Sequence, residues 1–182
     1  MEKPEELLRA AEQVVQILED HKVASVVIGA VAMAAYHYVR MTRDIDLGVN
    51  TDVQTLQTIA TSLRHKGFNA ELREPDESDP LGGVIDVTGP FGLIQIVSFA
   101  NRFPAVIEDA LHTKPVELRP GSLLRLAPLP QLVAMKLYAG GLKSKVDITE
   151  LLTRNPGTDL EEIRTVCNRY RLSGLDEILR EI

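Results

Sequence analysis

Two aspartates stand one residue apart at Asp44-Ile45-Asp46, at the head of a short apolar run that ends at Val49. Side chains two apart on a strand share a face, so Asp44 and Asp46 point one way while Ile45 and Leu47 point into a core. Carboxylates about 5 Å apart repel by roughly 3 kcal/mol at an effective dielectric of about 20. Arg43 alternates onto the opposite face from Asp44 and is badly placed to relieve this. A divalent cation between the two carboxylates removes the repulsion, and a site with few hard oxygen ligands suits magnesium bound together with phosphate groups. Solvation at an exposed strand end is the plainer explanation of an isolated Asp-x-Asp. Here the pair follows a strand that ends in Gly29 and a short helix, which sets a helix N-terminus and its free amides beside the acids, a place that favours an anion. A cation site next to an anion site describes a nucleoside triphosphate with its metal.

The elements that must hold these residues can be read from periodicity. Leu7, Leu8, Ala11, Val14, Val15 and Leu18 make one face of a helix from Pro4 to about His21. Ala24 to Ile28 is a β-branched run that reads as a buried strand, Val31 to Val39 as a short Ala-rich helix, and Asp44 to Val49 as a strand. Asn50-Thr51-Asp52 can cap a helix to about Lys66, which Gly67 stops. A strand from Phe68 to Arg73 and a loop from Glu74 to Pro80 follow. Two strands then flank Gly89-Pro90-Phe91-Gly92 as a hairpin. Beyond a helix at Pro104 to His112 come strand-like pieces near Val116 to Leu118 and Leu123 to Leu126. Helices are expected at about 128–138, 146–152, 159–170 and 175–182. The order predicts an α/β fold (α+β in some schemes), a mixed sheet flanked by helices with a C-terminal helical section. Residues 1–113 form the α/β core in this reading, and residues 114–182 form short strands and helices packed on it.

Bulk properties narrow the function classes. The chain of 182 residues is 45% hydrophobic and 25% charged, enough for one real core. No apolar run is long enough to span a membrane, and the acidic, amphipathic N-terminus lacks the pattern of a secretory signal, so a cytoplasmic protein is expected. The single cysteine, Cys167, excludes an internal disulfide and sits in a helical pattern as a small hydrophobe. A net charge of −6 argues against bulk nucleic-acid binding. The charge is blocked, however: a net of −5 between Glu71 and Asp86, and +5 between Lys114 and Lys145. A solvated face explains such blocks; a surface that meets phosphate is the sharper reading. The four histidines are scattered without zinc-ligand spacing, and no nucleophile-elbow pattern occurs. Tyr36 and Tyr38 could stack on a base, but packing of the short helix on the sheet is the simpler role.

With Val27-Ile28-Gly29 followed by Asp44-Ile45-Asp46, the chain resembles the nucleotidyltransferase superfamily, in particular its minimal-nucleotidyltransferase and AbiEii-like toxin branch. The resemblance implies Mg2+-dependent transfer of a nucleoside monophosphate from a nucleoside triphosphate to a hydroxyl, with Asp44 and Asp46 as metal ligands for one or two ions. It implies contacts to the nucleotide from Gly29 and the Ala30 amide, and Arg43, Gln95 and Lys145 complete the candidate set. The segment PQLVAMKLYAGGLKSKVDITELL is similar to the helical tail of the toxin-like group: Lys136 matches its helix-borne lysine, and Lys145-Val146-Asp147 with Glu150 approximates its basic–acidic element. A lysine that merely snorkels beside buried Leu132, Val133 and Leu137 is an equally good reading of Lys136. The acceptor implied is open: RNA such as tRNA, a protein hydroxyl or a small molecule.

Two positions depart from the family pattern. Gly29 is followed by Ala30, which lacks the hydroxyl that could bond a phosphate. The place of the third carboxylate, on the second strand of the hairpin, holds Gln95, whose amide cannot take up a proton as a carboxylate can. Asp86 could substitute. A turn centred on Pro90 and Phe91 sets Asp86 opposite Gln95, whereas a bulged three-residue loop sends it to the other face, and the sequence leaves both open. The departures create an alternative: a catalytically degenerate member that binds a nucleotide or a partner, such as a component of a toxin–antitoxin pair.

Overall fold

The computed structural model describes residues 3–40, 42–77, 81–114 and 116–182. Eight helices and seven strands are found among them, in an order that follows the sequence pattern closely: α1 (Lys3–Asp20), β1 (Ser25–Ile28), α2 (Gly29–Ala35), β2 (Asp44–Val49), α3 (Val53–His65), β3 (Asn69–Arg73), β4 (Val84–Gly89), β5 (Gly92–Ser98), α4 (Pro104–His112), β6 (Val116–Glu117), β7 (Arg125–Leu126), α5 (Leu129–Ala139), α6 (Gly141–Arg154), α7 (Leu160–Arg169) and α8 (Leu175–Leu179). The last three residues of the loop expected over 74–80 lie outside the described residues.

The strands form one mixed sheet in the order β3-β4-β5-β2-β1-β7-β6. β2 lies at its centre, antiparallel to β1 and parallel to β5. β7 runs parallel to β1 through Val27 and Leu126, so the section after residue 113 extends the same sheet. Alternation along β2, β4 and β5 buries Ile45, Leu47, Ile85, Val87, Ile94 and Ile96 on one face. α1 and α3 close that face, α1 over β2 and β5 and α3 beside β3. On the other face Gly48 lies beneath α4, where an added Cβ would meet Ile107 Cδ1 at 2.7 Å. α5, buried from Leu129 through Met135, joins α4, α6 and α7 into the second layer.

Three helices differ from the sequence reading, the last of them, α8, by stopping at Leu179, three residues before the expected end. α2 stops at Ala35, four residues before the expected Val39. His37 turns into the left-handed region at φ 62°, and Asn155 Nδ2 donates to the Tyr36 carbonyl at 2.7 Å, so a tertiary contact takes over the carbonyl a longer helix would have used. α6 begins at Gly141 instead of Val146. Gly140 and Gly141, at φ 68° and 79°, break α5 and let a new helix start at once, with Ser144, Asp147, Ile148, Leu151 and Leu152 as its buried face.

Candidate active site

Asp44 and Asp46 lie on the sheet face opposite α1 and α3, at the start of β2 and both partly exposed. Parallel pairing sets Asp46 beside Gln95, and the hairpin sets Gln95 beside Asp86. The turn has two central residues, Pro90 and Phe91, with Gly89 paired to Gly92. Of the two registers the sequence leaves open, this is the one that keeps Asp86 on the carboxylate face. Asp46, Gln95 and Asp86 therefore form one row across three neighbouring strands, and Glu71 continues it on β3.

Gly29 presses against this row from β1. Its φ of 67° is the left-handed conformation that glycine adopts freely, and a Cβ built there would stand 2.0 Å from Asp46 Oδ2 and 3.0 Å from its Cγ. The glycine thus answers two requirements at once, the turn from strand into α2 and the close approach of backbone to carboxylate. Ala30 follows as the second residue of α2, its methyl packed against the core.

The acids of the row sit in different electrostatic settings. Among the described residues neither Asp44 nor Asp46 forms an ion pair. Burial, and then the charge of Asp44, push the Asp46 carboxyl up to about 6, against the opposing pull of the Lys136 and Lys143 ammoniums. Asp86 is the reverse case. Burial works against its charge, yet it is held below the usual carboxylate range by hydrogen bonds from Arg73 Nε to Oδ2 at 2.7 Å and Gln95 Nε2 to Oδ1 at 2.6 Å, and by the Arg73 charge.

Lys136 reaches the same side of the molecule from α5. Its Nζ lies 2.8 Å from Oδ2 of Asp147 on α6, which is 1% exposed. Arg40 Nη1 donates to both oxygens of Asp147, at 2.9 and 3.1 Å, and the Tyr38 hydroxyl donates at 3.3 Å. One carboxylate thus carries two cations and ties the segment between α2 and β2 to α5 and α6. Neither Tyr38 nor Tyr36 is a free stacking platform: the Tyr36 hydroxyl donates to the Ala127 carbonyl at 3.2 Å, and Arg154 lies over the Tyr38 ring.

Three of the sequence's cationic candidates are placed apart from the carboxylates. Arg43 does not join the carboxylates; it lines a cavity whose wall includes Ile45, on the opposite face of the sheet. Lys145 is exposed and lines a recess of about 420 Å3 between α5, α6 and α8, while it is Lys143 whose charge acts on Asp46. The basic block between Lys114 and Lys145 is not a continuous surface either. Arg119 is paired with Glu5 and Glu12 of α1 at 3.0 and 3.2 Å, and Lys136 with Asp147. Sequence reasoning also missed Arg40 and Arg73, cations that reach their acids only through the fold.

Among the described residues no cluster of three or more ligand-type side chains occurs. What the site offers is a pair of adjacent, unneutralised carboxylates. That donor set fits an ion which takes one or two protein carboxylates and completes its shell with water and phosphate oxygens, as magnesium does. It fits one ion better than two, because Asp86 is already engaged.

No family model matches the sequence, and no curated protein matches it. The structure does have likenesses among solved proteins. The solution structure of the antibiotic-resistance factor ANT(2'')-Ia superposes with a TM-score of 0.57 at 12% identity, over 92% of each chain. The crystal structure of ANT(2'')-Ia in complex with adenylyl-2''-tobramycin gives 0.56 at 11% identity, over 90% of this chain and 96% of that one. An antigenic nucleotidyltransferase-like protein from Paracoccidioides brasiliensis gives 0.54 at 16% identity, over 91% and 87%. Identities this low speak to architecture alone, and on that level the chain has a nucleotidyltransferase-type fold.

Proposed function

We propose that this protein binds a nucleoside triphosphate together with a divalent cation at Asp44 and Asp46, and transfers the nucleoside monophosphate to a hydroxyl acceptor. The observation that carries the reading is the carboxylate pair itself: two neighbouring acids with no ion-pair partner among the described residues, with the backbone of Gly29 against one of them, on the sheet face opposite α1 and α3 in a nucleotidyltransferase-type fold. In the reaction the acceptor oxygen bonds to the α-phosphorus, the α–β phosphoanhydride bond breaks, and pyrophosphate leaves. Magnesium, when held by Asp44 and Asp46, neutralises phosphate charge. Lys136 and Lys143 add positive potential on the same side. Asp86 is the carboxylate of the row placed to take the acceptor's proton, but its bonds from Arg73 and Gln95 make it a weak base. The acceptor class is a hydroxyl on RNA, on a protein or on a small polyol, and the adenylyl-2''-tobramycin complex of the structural neighbour supports the last. Among the described residues no helix is long and apolar enough to cross a membrane, and a cytoplasmic location is part of this proposal.

One observation favours a second reading. Gln95 stands between Asp46 and Asp86 and donates to Asp86, so the row holds an amide where a third metal-binding acid would belong. A protein of this kind would bind the metal–nucleotide and act through a partner, as in a toxin–antitoxin pair, without transferring anything. Calorimetric titration with Mg-ATP, followed by transfer assays with four α-labelled triphosphates against a tRNA pool, protein and aminoglycosides, separates the two. Metal-dependent binding that disappears in Asp44→Asn, with the thermal transition kept, supports the site; binding unchanged in that variant refutes it. Labelled acceptor supports transfer, and binding without any labelled acceptor supports the second reading.

A further inference from the structure

A cavity of about 920 Å3 lies on the sheet face opposite the carboxylates. Its walls are apolar, built from Leu7 and Leu8 of α1, Val31 and Ala34 of α2, Ile45 of β2 and Phe91 of the hairpin turn. Three arginines line it, and their accounts differ. Arg40 is bound to Asp147 at 2.9 Å, and Arg119 to Glu5 and Glu12 at 3.0 and 3.2 Å. Arg43 has no acidic partner and no side-chain hydrogen bond among the described residues, and it is exposed. At the Arg119 end the guanidinium is already held by Glu5, which Arg9 also pairs at 3.5 Å, and by Glu12, so it has little left to offer an anion; the Arg43 end attracts one.

We infer that this cavity is a ligand site for an amphiphilic monocarboxylate, with the apolar body against α1 and α2 and the carboxylate on Arg43. The volume lies within the range of sites for small organic molecules, which are mostly apolar with a few polar groups that fix orientation. A single unpaired guanidinium beside an apolar hollow is such an orienting group, because it offers a carboxylate two parallel hydrogen bonds. A wholly apolar ligand would leave Arg43 without use, and a polyanion would find one unpaired guanidinium where it needs several, because Arg40 and Arg119 are already held by carboxylates. The inference does not depend on the nucleotide reading, since Asp44 and Asp46 face the other way.

The test is calorimetric titration of the full chain with decanoate below its micelle concentration, with 1-decanol as the uncharged probe. Saturable binding of one decanoate per chain is expected. Arg43→Gln should weaken decanoate by about tenfold or more and leave decanol unchanged, while Arg43→Lys keeps part of the affinity. Ala35→Trp, at an exposed position of α2 on the cavity wall, should weaken both probes. Thermal melts check that each variant is folded. Absence of saturable decanoate binding to the wild type overturns the inference, and so does decanoate affinity that survives unchanged in Arg43→Gln or in Ala35→Trp.

Discussion

Replacing Asp46 by asparagine should make the metal-free protein more stable at neutral pH. The side chain keeps its shape and loses a charge that the fold does not neutralise. In the folded chain this carboxyl titrates near 6, against an ordinary value of 3.8. A folded-state value above the unfolded one means that the native state holds the proton more tightly. Stability from this group is therefore complete below about pH 4 and is lost as pH rises through 6. At about 1.36 kcal/mol per pH unit the loss approaches about 3 kcal/mol at pH 7. Solvent screening of a partly exposed side chain brings it to about 1–3 kcal/mol.

Asparagine carries no such loss, so Asp46→Asn should raise the melting temperature at pH 7 by about 2–12 °C, at about 2–4 °C per kcal/mol for a chain of this size. At pH 4, where the wild-type carboxyl is protonated, the two proteins should melt together. Calorimetric or fluorescence melts in chelator at both pH values measure this. Added magnesium and ATP should then stabilise the wild type and leave the variant where it was. A variant that melts lower than wild type at pH 7, or that gains equally at both pH values, would show that Asp46 is a satisfied structural residue, and the electrostatic argument for an ion would fail with it.

Three further outcomes follow from the same geometry. Gly29→Ala must place a Cβ 2.0 Å from Asp46 Oδ2 in a left-handed backbone, so urea unfolding should show a loss of about 2–4 kcal/mol, of which about 1–2 persists in the Gly29→Ala/Asp46→Ala double variant because the backbone strain remains. Asp147→Asn leaves Lys136 and Arg40 without their shared acid and should cost about 3–5 kcal/mol; a change in the unfolding free energy below about 1 kcal/mol would contradict the buried-pair assignment. Gln95→Glu puts a third acid between Asp46 and Asp86 and removes a donor from Asp86, so it should lower the metal-free melting temperature and raise magnesium affinity by about tenfold or more in titration calorimetry.

How far the sequence discloses this site depends on the range of the interaction concerned. β2 is found where Asp44 to Val49 predicts it, because alternation over six residues is a local property with one buried face. The caps are local as well: Asp52 accepts from the Thr55 amide at 2.7 Å, and α3 starts where that cap requires. The row Asp46–Gln95–Asp86 was half legible, since hairpin pairing follows from turn length, and turn length at Gly-Pro-Phe-Gly has two solutions. The lysines are where local reasoning failed. Which lysine of GGLKSK faces the carboxylates depends on the phase of α6, and that phase is set by a start at Gly141 that only the packed structure reveals. Lys143 is four residues from Asp147 and shares its side of the helix; Lys145 is two residues away and turned through about 200°.

The treatment of the other acids bears on what the unpaired ones are for. Asp147, almost wholly buried, receives Lys136, Arg40 and the Tyr38 hydroxyl. Asp86 receives Arg73 and Gln95. The fold thus supplies donors to carboxylates at other points around the second layer and the hairpin, as the usual cost of an uncompensated charge requires. The Lys136 charge acts on Asp46, yet its ammonium is bound to Asp147, and Arg43 lies on the far face of the sheet. The resulting arrangement keeps positive potential near the pair while leaving its oxygens open, and it presses a side-chain-free backbone, Gly29, against one of them. An acid pair that served only as a solvated strand end would need neither the glycine contact nor the engagement of Lys136 by another acid. Both are needed if the oxygens must remain available to an ion that arrives with its own phosphates.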